Sequence, residues 1–193
     1  MSIVRNPEVR MAIDRALSGG GAAGDWTLDP VGHSVRFRSK TYWGLRMAHG
    51  SFAEVAGAAQ VSSDGMISGT LVIRTGSVDT GNAGWDTRLR SKRFLDAEDH
   101  PELTVEVTAA DRIGNARLLL TGALDVAGTS RPVTVDAEVI ALDDDEVRLR
   151  VEFDLTRSGL GLGWSMLGMI GDKVHVHAEV HFTRSEASGG GEG

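Results

Sequence analysis

The sequence predicts an all-β fold of about eight antiparallel strands that close into a barrel. Apolar and polar residues alternate along five long runs in the second half of the chain, a pattern that buries one face of each strand. Short turn sequences such as Ile113-Gly114-Asn115 separate consecutive runs, so strands that are neighbours in the chain can pair. Closure into a barrel removes the unpaired edges that an open sheet would leave.

The chain divides into one long domain and two dissimilar ends. Residues 25–184 carry the alternating runs and form the predicted barrel domain. Residues 1–24 are expected to form an N-terminal helical extension, because apolar residues recur at helical spacing over Val9–Leu17 and a glycine-rich linker follows. This helix either rests on the domain or frays from it, or it serves as a plug, a partner-binding helix or a membrane-surface helix. Residues 185–193 are rich in Gly, Ser and Glu, which predicts a disordered tail.

The individual strands follow from the alternation in chain order. They are expected at residues 34–40, 69–75, 102–108, 118–126, 133–139, 147–156 and 174–182, with less regular strand patterns at 50–52 and 58–62. Asn82–Ser91 breaks the pattern, and Trp85, Leu89 and Phe94 would share one side of a helix. We expect this segment to be a short helix or an ordered loop lying over one opening of the barrel.

The inward face of the predicted barrel carries small and aliphatic residues. Gly122, Ala137, Ala141 and Ala178 fall on the apolar side of their runs, and aromatic residues make up only 5% of the chain. A closed sheet lined in this way can enclose a cavity for one apolar ligand. The alternative is a filled core, in which larger side chains from the opposite wall occupy that space.

Composition argues against several classes of protein. The chain contains no Cys, which excludes disulfide frameworks, cysteine zinc sites and thiol nucleophiles. The formal net charge of −7 argues against a nucleic-acid binder, because such proteins usually carry a basic face. No apolar run approaches the ~20 residues that a membrane-spanning helix needs. The N-terminal residues lack the apolar core of a secretion signal, so the expected location is the cytoplasm.

Several short motifs occur in a characteristic order along residues 25–184. They are Trp26–Pro30, His33–Phe37, Trp43–Leu45, Gly50–Phe52, Ser77–Asn82, Phe94–Asp96, Gly128–Thr134 and Gly171–Val174. In this order they resemble the YceI-like family of bacterial lipid-binding proteins. The resemblance implies an extended, lipocalin-like antiparallel β-barrel. It also implies a carrier that holds a long isoprenoid lipid, such as a polyprenyl phosphate or a quinone-type tail, inside the barrel without catalysis and without a cofactor.

Under this resemblance the candidate ligand-binding residues are the inward apolar side chains of the barrel. They are Val35, Phe37, Leu71, Ile73, Val105, Leu120, Val135, Val139, Leu149, Val151, Phe153, Val176 and Val180. The alternative for each of them is packing against its neighbours alone.

The candidate mouth and head-group residues fall in the helical segment and in the glycine-studded run Leu160–Ile170, which is either a flap or a buried loop. They are Trp85, Arg88, Leu89, Phe94, Trp164, Met166 and Met169. The run Arg88–Arg93 concentrates four cations, which would suit a phosphate head group or form a solvated helix face.

A second candidate site is the outward face of the last strand, where His175, His177 and His181 alternate with valines. Two imidazoles at this spacing can bind a metal ion, although such a row is usually a polar strand face or an interface. The alternative function is therefore an enzyme or metal-binding protein on the same barrel, with this face or Arg88–Arg93 as its site. A homodimer through the barrel exterior or residues 1–24 is a further alternative.

Overall fold

The computed structural model describes Met11 and residues 21–41, 46–114, 116–160 and 170–185. In these ranges β-branched and alternating apolar residues form long strands, and α1 (Ala83–Arg90) is the described helix between them. The strands are β1 (Gly24–Leu28), β2 (Ser34–Thr41), β3 (Arg46–Phe52), β4 (Val55–Val61), β5 (Ile67–Arg74), β6 (Val78–Asp79), β7 (Glu102–Gly114), β8 (Arg117–Val126), β9 (Thr129–Leu142), β10 (Glu146–Thr156) and β11 (Ile170–Arg184).

The strands confirm the predicted eight-stranded, closed antiparallel barrel. Its ring runs β1, β4, β5, β7, β8, β9, β10 and β11, and β11 pairs back with β1. From β7 to β11, consecutive strands in the chain are also neighbours in the sheet, as the short turns predicted. No helix in the described part of the chain is long and apolar enough to cross a bilayer.

One edge of β11 is shared by two strands. Its last residues pair with β1, where Phe182 faces Leu28. Its middle residues pair with β2, where Val176 faces Phe37. Strands β2 and β3 therefore leave the ring as a hairpin, which ends against the two-residue strand β6. This branch from an otherwise up-and-down barrel was not predicted.

The helix α1 lies in the connection between β5 and β7, in agreement with the predicted helix over one opening. Asn82 caps it, because the Asn82 side chain accepts a hydrogen bond from the Trp85 backbone amide at 3.1 Å. After the helix, Phe94 is buried, and Leu95 packs on the barrel core, as does Ala127 of the β8–β9 turn. We call this the helix end of the barrel. The predicted N-terminal helix lies outside the described residues, apart from Met11.

Bulges interrupt the alternation on which the inward residues were predicted. In β9 the register shifts between the partners of Arg148 and Leu149, which face Ala141 and Val139 respectively. Ala141 is therefore exposed, whereas Leu142 takes the next inward position. The expectation that Ala141 points inward is wrong, because the extra residue turns the rest of the strand over.

Gly122 allows close contact between β7 and β8 at a second bulge. Val107 faces Gly122, but the next register pair is Ala109 with Thr121, so Thr108 is the extra residue. A Cβ on Gly122 would lie 1.8 Å from the carbonyl oxygen of Glu106. The absence of a side chain therefore lets the two backbones approach where the sheet bends.

We expect Gly122→Ala to lower the free energy of unfolding by at least about 2 kcal/mol, because the strands must separate to admit the methyl group. Gly114→Ala is the matched control on the same strand pair, since a Cβ there meets nothing within 4 Å. Urea unfolding of the two variants measures the difference. Equal losses of stability in both would contradict this account of Gly122.

Candidate functional site

A cavity of about 110 Å³ lies inside the barrel at the end opposite α1, which we call the cavity end. Ile67 begins β5 on its wall, whereas Arg74 ends β5 near the helix, so the two ends are roughly 20 Å apart along that strand. Every side chain on its wall is apolar. The lining residues are Ala22, Trp26, Ala59, Val61, Ile67, Ala110, Leu118, Leu120, Val139, Leu142, Val147, Leu149 and Phe182.

The candidate ligand-binding residues occupy three kinds of position. Leu120, Val139 and Leu149 line the cavity. Val35, Ile73, Val151 and Val180 are buried, and Leu71 and Val105 pack against the main core. Phe37, Val135, Phe153 and Val176 are half-buried. The interior of the barrel is thus neither wholly a ligand cavity nor wholly a filled core. It has a cavity at one end and a filled core towards the other.

Residues 21–23 cover part of the cavity end. The Trp26 indole donates a hydrogen bond to the Ala22 carbonyl at 3.0 Å, and Ala22 itself is buried in the cavity wall. The Arg184 guanidinium donates to the Ala23 carbonyl at 2.7 Å and to the Gly21 carbonyl at 2.6 Å. It also stacks 4.8 Å from the centroid of the Trp26 ring. The last strand therefore holds the chain that precedes the first strand across the cavity.

The candidate mouth residues lie away from the cavity. Trp85, Arg88 and Leu89 belong to α1 and Phe94 follows it, all at the helix end. The Arg88 guanidinium stacks 5.2 Å from the Trp85 ring, and Leu89 accepts a backbone hydrogen bond from Leu95. These contacts give α1 a structural part in closing the helix end. Trp164, Met166 and Met169 lie outside the described residues.

The cations of Arg88–Arg93 have partners within the protein. Arg90 donates to the Val78 carbonyl at 2.7 Å, and Lys92 forms an ion pair with Asp99 at 3.0 Å. Asp86 within α1 accepts hydrogen bonds from both the backbone amide and the hydroxyl of Thr80, which lowers the pKa of Asp86. The segment thus anchors the β5–β7 connection.

The three histidines of β11 do not form one site. His175 and His177 are partly exposed, and their Nδ1 atoms lie 3.0 Å from Asp154 and 2.9 Å from Glu152 on the neighbouring strand. His181 is buried under the β1–β2 connection, with Nδ1 3.1 Å from Asp29. Its Nε2 lies 3.2 Å from Glu146 without hydrogen-bond geometry. The expectation that the three histidines form an exposed row is wrong for His181, because residues 29–32 cover it.

Metal ligation by the histidine face has little support in this geometry. Within the described residues, no group of three or more His, Cys, Asp or Glu side chains is placed to hold a metal ion. Each imidazole has a carboxylate beside it, as expected for cross-strand polar pairs.

Most of the cavity wall comes from residues that the sequence argument did not single out. Leu118, Val147 and Phe182 belong to the apolar sides of the alternating runs, so the pattern could have identified them. Ala110 and Leu142 follow bulges, which alternation alone does not locate. Ala22 lies in the predicted linker and has no sequence signal for a wall position.

The cavity end carries mainly acidic groups on its outer rim. Asp64 lies in the β4–β5 turn, Asp111 near the end of β7 and Asp143–Asp145 in the β9–β10 turn, and all are exposed. Arg112, Arg117, Arg148 and Arg184 are cations of the same end, but Arg117 is paired with Asp136 and Arg184 is committed to the backbone of residues 21–23. The surroundings of the cavity are therefore net negative.

Comparison with known proteins agrees with this fold. A family model described as YceI-like domain matches residues 26–182. A UPF0312 protein of Vibrio campbellii is 26% identical over 174 residues, 89% of this chain and 92% of that protein. The crystal structure of Burkholderia cenocepacia BcnA matches with a TM-score of 0.72 and 21% identity, over 80% of this chain and 98% of that one.

A further solved structure is described as a polyisoprenoid binding domain from Saccharophagus degradans implicated in plant cell wall breakdown. It matches with a TM-score of 0.70 and 17% identity, over 83% of this chain and 98% of that one. At such identities these structures establish the shared fold.

The histidine–carboxylate pairs make an acid-dependent contribution to stability. The hydrogen bond from His177 lowers the pKa of Glu152 below 4.5, and those from His175 and Lys173 lower the pKa of Asp154 below 3.8. A carboxyl with a depressed folded-state pKa stabilises the fold above its unfolded pKa, and this stability is lost as the pH falls through the folded value.

We therefore expect the free energy of unfolding to decrease as the pH is lowered below about 4.5, and to decrease less steeply in Glu152→Gln. Urea unfolding between about pH 6 and pH 3 measures the slope. Glu106→Gln, an exposed outer-face carboxyl on β7, is the control. A Glu152→Gln profile parallel to that of the unmodified protein would refute the assignment.

Proposed function

The chain belongs to the YceI-like domain family, and from this premise we propose that it is a noncatalytic carrier that binds an isoprenoid chain in the apolar cavity of its barrel. The observation that carries the proposal is the cavity itself, whose wall presents only aliphatic and aromatic side chains. Such a wall offers burial of apolar surface and no group for acid–base or nucleophilic chemistry. The polyisoprenoid binding described for the Saccharophagus degradans domain supports the same ligand class.

The size of the cavity limits how much of the ligand it holds in this conformation. At about 110 Å³ it is somewhat smaller than an engineered apolar cavity of roughly 150 Å³ that binds benzene. One five-carbon isoprene unit would gain roughly 4 kcal/mol at about 0.8 kcal/mol per buried carbon. That energy corresponds to about millimolar affinity at best.

A long chain therefore has to extend past the cavity into the filled part of the lumen. Half-buried side chains beyond the cavity, among them Val105 and Leu71, are the first it would displace. Each further unit then adds apolar contact, offset by the loss of packing between the displaced side chains. We propose that affinity rises with chain length until the lumen is filled.

The rim charges favour a neutral head group over a phosphate at this end. A phosphate at the opening would lie at the end of the barrel that carries Asp64, Asp111 and Asp143–Asp145, whose like charge opposes its binding. A quinone or another uncharged head group meets no such repulsion. Of the two ligand types, we propose the quinone-type tail for the cavity.

Ala110→Phe should abolish binding of a fifteen-carbon prenyl alcohol, because the added ring fills the cavity next to Leu120. Ala109→Phe is the matched control, since alternation places that residue on the outer face beside Thr121. Native mass spectrometry of the protein as purified and after addition of the alcohol measures occupancy. Circular dichroism checks that both variants fold.

Retained binding in Ala110→Phe would place the ligand elsewhere. Absence of lipid from the purified protein, together with no binding of added prenyl chains of any length, would overturn the carrier function.

The head-group proposal predicts that a fifteen-carbon prenyl alcohol displaces an apolar fluorescent probe from the cavity at lower concentration than the prenyl monophosphate of equal length. The difference should shrink as salt is raised from low to about 1 M, because ions screen the rim aspartates. Displacement by the phosphate at equal or lower concentration would reject the preference for a neutral head group and leave the carrier function standing.

A further inference from the structure

A second concave site lies on the outer face of the barrel, where the β2–β3 hairpin branches from β11. This outer groove has a volume of about 550 Å³, within the range of small-molecule sites. Its lining combines cationic and polar groups from five strands and the segment before α1. The lining residues are Arg36, Phe37, Arg38, His49, Gly50, Ser51, Asp79, Thr80, Gly81, Glu152, His175 and His177.

Strand register places four hydrogen-bond donors of the groove in a compact patch. Arg36 pairs with Ser51 and Arg38 pairs with His49 across β2 and β3. The two arginines are two residues apart on one strand face, so their backbones are separated by roughly 7 Å. Directly paired side chains on neighbouring strands start about 5 Å apart. One anion can therefore contact members of both pairs.

These four side chains are uncommitted. Within the described part of the chain, no hydrogen bond or ion pair engages the side chains of Arg36, Arg38, His49 or Ser51, and both arginines are exposed. Arg150, on the same outer face, differs because it binds both Glu138 and Glu179.

The carboxylates of the groove are, in contrast, already occupied. His177 contacts Glu152 at 2.9 Å, and His175 contacts Asp154, which does not line the groove, at 3.0 Å. Asp79 accepts a hydrogen bond from the Gly81 amide at 2.7 Å. Acidic groups thus lie at the two margins of the groove, whereas its centre holds two free guanidinium groups.

We propose that the outer groove binds a phosphate monoester, whose phosphate contacts Arg36 and Arg38. Guanidinium groups bind phosphate oxygens through pairs of charge-assisted hydrogen bonds. A single monovalent anion would engage fewer of the guanidinium N–H donors. Ser51 and His49 supply further donors beside the two arginines. The volume exceeds what inorganic phosphate needs, so the organic part of the ester lies along the groove towards Thr80 and Gly81. The monoester belongs either to a soluble metabolite or to a lipid head group.

Isothermal titration with glycerol 3-phosphate and with inorganic phosphate tests the soluble source. Flotation with phosphatidylcholine vesicles, with and without phosphatidic acid, tests the lipid source. The variants are Arg36→Gln, Arg38→Gln and the double substitution. Arg148→Gln is the matched control, because Arg148 is an exposed arginine of the same outer face that does not line the groove.

We expect saturable binding of at least one phosphate monoester probe, weakened at least about tenfold in the double variant and unchanged in Arg148→Gln. Binding of glycerol 3-phosphate assigns a soluble ligand, and binding of phosphatidic acid vesicles alone assigns a lipid head group. No binding of any phosphate probe, or equal binding by the double variant, overturns the proposal. Ala110→Phe should retain phosphate binding, which separates this site from the cavity.

Discussion

Strand β11 is hydrogen-bonded on both edges, and the two sites of the molecule follow from how its second edge is divided. Pairing with β1 near Phe182 closes the ring and brings Trp26 and residues 21–23 over the cavity. Pairing with β2 around Val176 directs the β2–β3 hairpin away from the ring. The apolar cavity therefore lies on the inner face of β11, and the outer groove lies on its outer face. A change in the register of β11 would disturb both sites, because a shift of one residue exchanges its inner and outer faces.

The shape of the lumen depends on the bulges as much as on side-chain size. The bulge opposite Gly122 turns Ala110 towards the interior, and the bulge in β9 does the same for Leu142. Both residues then line the cavity, together with Val139, which precedes the bulge in β9, and Leu120, which faces Ala110. The cavity therefore forms where strand bending opens the wall.

The two sites differ in their local charge and therefore in the ligands that they can bind. The cavity is apolar and its rim is acidic, so apolar burial provides the affinity and the rim disfavours anions. The outer groove has its uncommitted cations at the centre, in a protein whose net charge is −7. Local arrangement thus outweighs net charge, since screening limits the reach of distant carboxylates to about 10 Å.

The sequence by itself determined the antiparallel strands of the barrel, because a period of two along Val147–Leu155 or Val174–Phe182 is typical of strands that bury one face. It also located the helix at Asn82–Ser91 and an apolar interior that includes Leu120, Val139 and Leu149. Only the tertiary structure decided that the cavity lies opposite that helix, that His181 is buried beside Asp29, and that Arg36 and Arg38 meet His49 and Ser51. These features depend on bulges and on pairing between strands distant in the chain, and neither leaves a periodic signal in the local sequence.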